Sequence, residues 1–257
     1  AHREQIAAAL SGVEPPVIRG ESKDTLATRN CLKAMMSGES VWPCGESGTT
    51  LRLLEPIAGV MGWKGEFKCE GRLGERPRMP FEKKVRYVIP GNVSSQFISG
   101  LLMALPLADW DSEIVIDGPL QSAAYVQLTE DTLRESGISV RKIRKEGQTS
   151  FLYFMDGGQK YRFAGGGEVE GDWSQAAFWL SAGFLGADVT VTGLKDESSQ
   201  GDKAVKQILA QFAGTENVEV DARNIPDLIP VLAIAACGRN ARTTFANCGR
   251  LRLKESD

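Results

Sequence analysis

Residues 94–118 read SSQFISGLLMALPLADWDSEIVIDG: two hydroxyls and an amide, an almost wholly apolar run, a proline-bearing turn, and an alternating stretch that stops at glycine. Apolar residues around more than one face mark an interior helix, and alternation of period two marks a strand. The same order of parts recurs in residues 2–20 (HREQIAAALSGVEPPVIRG), 47–71 (SGTTLRLLEPIAGVMGWKGEFKCEG), 173–193 (WSQAAFWLSAGFLGADVTVTG) and 226–247 (PDLIPVLAIAACGRNARTTFAN). Four of the five copies end in glycine. Several are followed by a more polar, amphipathic helix that also stops at glycine: DTLATRNCLKAMMSG, AYVQLTEDTLRESG and GDKAVKQILAQFAG. After the third copy, ISVRKIR and SFLYFM add two strands and complete a β-α-β-α-β-β unit. Repetition of that size predicts an α/β architecture of layered units with helices packed inside sheets.

The period also skips. Between KCEG and the third buried helix a surface helix is missing, and MMSGESVWPCGESG has no room for two strands. The arithmetic predicts that this numbering joins pieces of a longer chain, natural deletion being the alternative, with the last unit breaking off at LRLKESD. A boundary is expected near Ser198 in the polar run KDESSQGDK, giving residues 1–197 as a first lobe of three units and 198–257 as the start of a second.

Composition narrows the classes of function. Lys and Arg number 30 against 33 Asp and Glu, a net charge of −3, so no global field recruits nucleic acid or an anionic membrane. The single histidine and five cysteines without a C-x-x-C provide no zinc site, and free thiols fit a reducing, cytoplasmic setting. No apolar run reaches the ~20 residues that cross a bilayer, and a chain without a secretion leader is expected.

The candidate functional residues share one place, the N-terminal mouth of a buried helix. Ser94, Ser95 and Gln96 open the third. A single serine suffices to cap it, stabilising by about 1 kcal/mol, whereas two hydroxyls and an amide at the positive helix end form a cradle for phosphate or carboxylate. GESGTTLR (45–52) repeats the idea with Gly48, Thr49 and Arg52, without P-loop spacing; its plain alternative is a glycine turn with a threonine cap. GERPRMP holds Arg76 and Arg78 between prolines, either as solvated arginines or as forked donors to an anion. Arg3 begins the first buried helix. Asp227 heads the last one, as a cap or as a base whose pKa partial burial would raise. Lys254 and Glu255 form a cation and carboxylate pair, by default a surface salt bridge. Helix ends converging from neighbouring units would build a concave anion site between two lobes.

The motifs AHREQIAAAL, CGESGTTLR, ERP, GNVSSQF, QSAAY, VEGDWSQAAF, QGD, IPDLIPVLA and RLRLKESD, in that order, resemble the 5-enolpyruvylshikimate-3-phosphate synthase (EPSP synthase) family along nearly the whole chain. That resemblance implies a two-lobed inside-out α/β architecture of repeated β-α-β-α-β-β units with buried parallel helices. It also implies transfer of the enolpyruvyl group of phosphoenolpyruvate to the 5-hydroxyl of shikimate 3-phosphate, without metal or organic cofactor, in a cytoplasmic monomer. By motif, Arg3, Ser94, Ser95, Gln96, Ser122 and Tyr125 would hold shikimate 3-phosphate, with Asp227 at its hydroxyl and Lys254 adding charge. Gly48, Thr49, Arg76 and Gln96 would form the phosphoenolpyruvate site, Arg52 supporting the loop. Asp227 would accept the hydroxyl proton and Glu255 would serve proton transfer at the methylene carbon. The family's Ser-Lys-Ser stretch is expected ahead of Ala1 and further basic residues beyond Asp257, so the polypeptide as written is expected to lack turnover and its full parent to have it. Glu46 stands where many relatives carry asparagine. Two other readings compete: a binding protein that lacks the chemistry, and a carboxyvinyl transferase acting on UDP-N-acetylglucosamine, whose reactive-cysteine loop is not visible.

Overall fold

The computed structural model describes residues 1–144 and 150–253. It divides into two compact units, Ala1–Gln121 with Tyr125–Val169, and Ser122–Ala124 with the described residues from Glu170 onward. Unit 1 begins with α1 (His2–Ser11) and α2 (Lys23–Met36), followed by β1 (Val41–Gly45), α3 (Gly48–Met61) and β2 (Glu66–Cys69). Parallel pairing joins β1 to β2. The predicted β-α-β-α-β-β unit then appears complete as β3 (Arg86–Pro90), α4 (Ser95–Ala104), β4 (Ser112–Asp117), α5 (Ala123–Glu135), β5 (Arg141–Arg144) and β6 (Phe151–Met155). Its sheet has the order β3-β4-β6-β5, parallel between β3 and β4 and antiparallel elsewhere.

Local chemistry sets the ends of the central helices. Ser47 accepts from the Thr50 N–H at 3.2 Å and starts α3, which stops at Gly62 in the left-handed region with φ 67°. Both α3 and α4 are buried around nearly their whole circumference, as their composition predicts: Leu51, Leu53, Leu54 and Ile57 pack with Ile98, Leu101 and Leu102, with Ile114 and Ile116 of β4, and with Tyr153 of β6. Each such side chain contributes about 1.5–3 kcal/mol.

One glycine and one proline set how closely these two helices approach. Pro56 has no N–H to donate to the Arg52 carbonyl four residues earlier. A Cβ on Gly100 would lie 2.2 Å from that same Arg52 oxygen and 3.0 Å from Pro56 Cγ. Only a glycine lets α4 lie against α3 there, and the contact holds the two helix starts, one turn earlier, side by side.

Unit 2 contains α6 (Trp173–Phe184), α7 (Ala204–Phe212), β7 (Val218–Asp221), α8 (Ile229–Ala236) and β8 (Thr243–Ala246), with β7 and β8 parallel. Trp173, Ala177, Val205, Leu209, Phe212 and Leu232 share its core.

Four expectations are corrected. The division falls between Val169 and Glu170 rather than at Ser198, because α6 packs with α7 and α8. Ser198 itself is buried inside unit 2, donating to Glu170 at 2.8 Å. The strand expected in DVTVTG does not form, and that of the first copy shrinks to one bridge, Val17 with Glu168, since neither finds a longer pairing partner among the described residues. Finally, α6 and α8 bury one face only: Phe178, Trp179 and Ile234 are 54%, 61% and 61% exposed. Among the described residues no helix is long and apolar enough to cross a membrane.

Candidate active site

In unit 1 the structure brings together five residues from three separate motifs. Gln96, in the first turn of α4, spans to α3: its Nε2 donates to Thr49 Oγ1 at 2.9 Å, and its Oε1 accepts from Arg52 Nη1. Arg52 as a whole is only 9% exposed, and its guanidinium carbon lies 5.2 Å from the Phe97 ring centroid, a cation–π contact. Arg76 arrives from the turn after β2. That turn is a short 3-10 stretch, Gly71–Glu75, anchored by buried Leu73, and it closes with the Arg76 N–H donating to the Leu73 carbonyl at 3.2 Å.

Gly48 is the point on which both cations converge. A Cβ there would lie 3.1 Å from Arg76 Nη1 and 3.5 Å from Arg52 Nη1. Two guanidinium groups beside the first N–H groups of α3 concentrate positive potential at one place, which suits a multiply charged anion. Arg78, the second arginine of GERPRMP, does not join them but pairs with Glu55.

At the head of α4 the two serines divide their roles. Ser94 is the cap, accepting from the Gln96 N–H at 3.3 Å, while Ser95 is buried in the first turn. Arg3 is held from α5: its Nε donates to Thr129 Oγ1 at 2.7 Å and its Nη2 to the Tyr125 carbonyl at 2.8 Å. Thr129 in turn donates to Ser99 at 2.8 Å. Burial lowers the Arg3 pKa to about 10, so it remains a cation at neutral pH. Next to it, His2 contacts Thr28 at 2.7 Å, Thr28 contacts Thr50 at 2.7 Å, and Thr50 donates to Ser47 at 2.8 Å, a buried polar chain that runs to the cap of α3. Burial first, then the positive charges of the Ala1 amino group and Arg3, lower the His2 pKa to about 3.

Unit 2 holds two more of the predicted residues. Ser122 has a positive φ of 54°, and its N–H is shared between the Arg223 carbonyl at 3.3 Å and Asn224 Oδ1 at 3.2 Å. Three residues beyond Asn224, Asp227 occupies the 3-10 turn Pro226–Leu228 that leads into α8. Asp227 is exposed, so the partial burial expected of it is not present. Lys254 and Glu255 lie outside the described residues.

Sequence reasoning missed Ser99, Thr129 and Phe97, which orient the arginines. A buried hydroxyl within the apolar run FISGLLMA was the available signal for Ser99. Nothing local marked Thr129 or Phe97, because their partners lie 126 and 45 positions away in the chain.

Fold and site together define a class: an α/β protein of repeated units that gathers arginine, hydroxyl and amide donors at the N-termini of buried helices. The family model of EPSP synthase (3-phosphoshikimate 1-carboxyvinyltransferase) matches residues 78–257. The chain belongs to the EPSP synthase family.

Its relatives include the 3-phosphoshikimate 1-carboxyvinyltransferase of Clostridium acetobutylicum, 34% identical over 277 positions, with 92% of this chain and 63% of that protein covered. That of Clostridium kluyveri is 36% identical, with 83% of this chain and 58% of that protein covered. For the Clostridium perfringens protein, 34% identity extends over 319 positions, with 100% of this chain and 74% of that protein covered. The chain thus spans about three fifths of the first two. The alignment of 319 positions exceeds the 257 residues here, so that relative carries stretches without counterpart in this chain. In architecture the protein is similar to the solved EPSP synthase from Acinetobacter baumannii, with a TM-score of 0.63 at 20% identity over 95% of this chain and 71% of that one.

Proposed function

We propose that this chain, as part of its full parent protein, serves the transfer of the enolpyruvyl group of phosphoenolpyruvate to the 5-hydroxyl of shikimate 3-phosphate, releasing phosphate. The observation that carries this reading is the convergence of Arg52 and Arg76 on Gly48, with Gln96 bridging Arg52 to Thr49. Phosphoenolpyruvate brings a phosphate and a carboxylate to that point, and Ser94, Ser95 and Arg3 serve the phosphate-bearing acceptor together with Ser122 and Tyr125. Bringing two anions together costs free energy through mutual repulsion, which fixed cations and helix N-termini offset before the reacting atoms meet.

The chemistry needs two proton transfers in opposite senses. Addition of the hydroxyl to the enol carbon requires protonation of the methylene carbon, the role assigned by motif to Glu255, while the hydroxyl gives up its proton to Asp227. In this reading Lys254 stabilises phosphate charge, and the working protein is a cytoplasmic monomer. By the family resemblance, a glycine at position 48 keeps a side chain out of the place glyphosate takes in sensitive relatives, so glyphosate is expected to inhibit, in competition with phosphoenolpyruvate.

The test is phosphate release by the full parent protein, measured with each acceptor. Release that requires both shikimate 3-phosphate and phosphoenolpyruvate supports the proposal. Turnover with UDP-N-acetylglucosamine instead, or binding of shikimate 3-phosphate by calorimetry without any turnover, replaces it with one of the two competing readings. Turnover unaffected by glyphosate at concentrations that block sensitive relatives removes the inhibitor expectation. Light scattering that gives a mass above 27.9 kDa by a whole multiple contradicts the monomer.

A further inference from the structure

Three of the five cysteines, distant in sequence, meet beneath the loop that carries Gly48. Cys31 on α2 and Cys44 on β1 are wholly buried in the core of unit 1, whereas Cys69 ends β2 and is partly exposed. The β1–β2 register pairs Pro43 with Lys68 and Gly45 with Cys69, so Cys44 is the residue skipped at the irregularity and lies beside Cys69. Its thiol neighbours those of Cys31 and Cys69 and donates to the Ser47 carbonyl. Adjacent strands run about 4.8 Å apart, inside the ~4.4–6.8 Å between Cα atoms that a disulfide spans. Among the described residues no group of three or more His, Cys, Asp or Glu side chains is arranged to hold a metal ion, so the thiols are read as redox groups.

We propose that Cys44 and Cys69 form a reversible disulfide, a modification site at the base of the Gly48 loop, made by a two-electron oxidant of the peroxide class. Exposure fixes the order of events. Cys69 alone of the three reaches solvent, so its sulfur attacks the peroxide; the O–O bond breaks, one oxygen stays as the sulfenic acid, and the other leaves as water. The Cys44 sulfur then attacks Cys69, the S–S bond forms, the S–O bond breaks, and a second water leaves with the remaining protons. Two thiols and one hydrogen peroxide become one disulfide and two waters. Cys31 cannot replace Cys69, because an oxidant reaches neither it nor Cys44 directly.

The surroundings keep the pair reduced until an oxidant is supplied. Burial raises the Cys69 pKa, with Cys44 and Glu55 adding to the shift and Arg78 opposing it; contact with Cys31 and burial raise that of Cys44, and Asp24 adds to this. Both are therefore thiols at neutral pH, and oxidation is expected to quicken as pH rises. The consequence for activity rests on the function proposed above. Cys44 Sγ donates to the Ser47 carbonyl at 3.4 Å, and Ser47 caps the helix that begins at Gly48. The disulfide consumes that donor and loosens the cap.

The experiment is oxidation of the full chain with hydrogen peroxide, alkylation of remaining thiols, and peptide mapping by mass spectrometry before and after dithiothreitol. A Cys44–Cys69 crosslinked peptide is expected, absent in Cys69→Ser, retained in Cys31→Ser, and removed by reduction. The KM for phosphoenolpyruvate should rise roughly fivefold with the crosslink and recover on reduction, the effect of one lost hydrogen bond. A Cys31–Cys44 link, sulfinic acid on Cys69 without a link, or unmodified thiols each overturn the proposal; a crosslink with unchanged KM refutes the coupling to the loop. Mapping needs no substrate, so a crosslink in a protein without turnover counts against the proposed reaction and not against the disulfide.

Discussion

Gly48 has room for very little more than hydrogen. A methyl at that position would stand 3.1 Å from Arg76 Nη1, closer than most side-chain contacts, and the arginine must yield by a few tenths of an ångström. Gly48→Ala should therefore fold normally, weaken glyphosate inhibition, and raise the KM for phosphoenolpyruvate; initial-rate kinetics with and without inhibitor check this. Arg76→Ala deletes a charged donor outright and should raise that KM about tenfold to a hundredfold, with an unchanged melting temperature. His2 makes a prediction about pH. Its pKa falls from 6.5 to about 3 on folding, so between those values the unfolded chain binds more protons and stability drops as pH falls below 6.5. His2→Gln should lose less melting temperature than the parent between neutral and acidic pH. At this scale clear signals in the sequence marked residues that a motif singles out, such as Gly48 and Gln96. It was silent on Phe97 and Thr129, whose importance comes from packing against a distant arginine.

The pair α3 and α4 sets the geometry of the proposed anion site, and their approach depends on the Arg52 carbonyl, to which Pro56 has no N–H to donate. Because a Cβ at Gly100 would sit 2.2 Å from that carbonyl, Gly100→Ala must push the helices apart. The expected cost is about 1–3 kcal/mol of stability, measurable by urea unfolding, together with loss of the contact between Gln96 and Arg52. A variant that unfolds like the parent would show that the helices are not held together there. Apolar composition around the helix identified α3 and α4 as interior and SSQF as a helix start. It also identified α6 and α8 as interior, where the structure buries only one face of each, since composition reports what a helix could bury and not what it is packed against. DVTVTG has the alternation of a strand but, among the described residues, no neighbouring strand to bond, and a strand is defined by its partner.

At the scale of the molecule, the anion-gathering residues and the proposed base belong to different compact units: Gly48, Arg52, Arg76 and Gln96 to the first, Asp227 to the second. Binding and chemistry should therefore separate. Asp227→Asn is expected to lower kcat by at least about a hundredfold while leaving the affinity for shikimate 3-phosphate within about twofold, read by calorimetry; a parallel loss of both would place Asp227 in binding rather than in proton transfer. The repeated order of apolar helix, turn and strand determined by itself that the protein is α/β, which helices form its centre, and that donors cluster at their N-terminal ends, because those features follow from local periodicity and from the chemistry of helix termini. Only the tertiary structure decided that unit 2 takes Ser122–Ala124 and then resumes at Glu170, that Arg78 turns to Glu55 while Arg76 turns to Gly48, and that three cysteines lie near one another. Those outcomes depend on which surfaces touch across long stretches of chain, and no local pattern of residues encodes that.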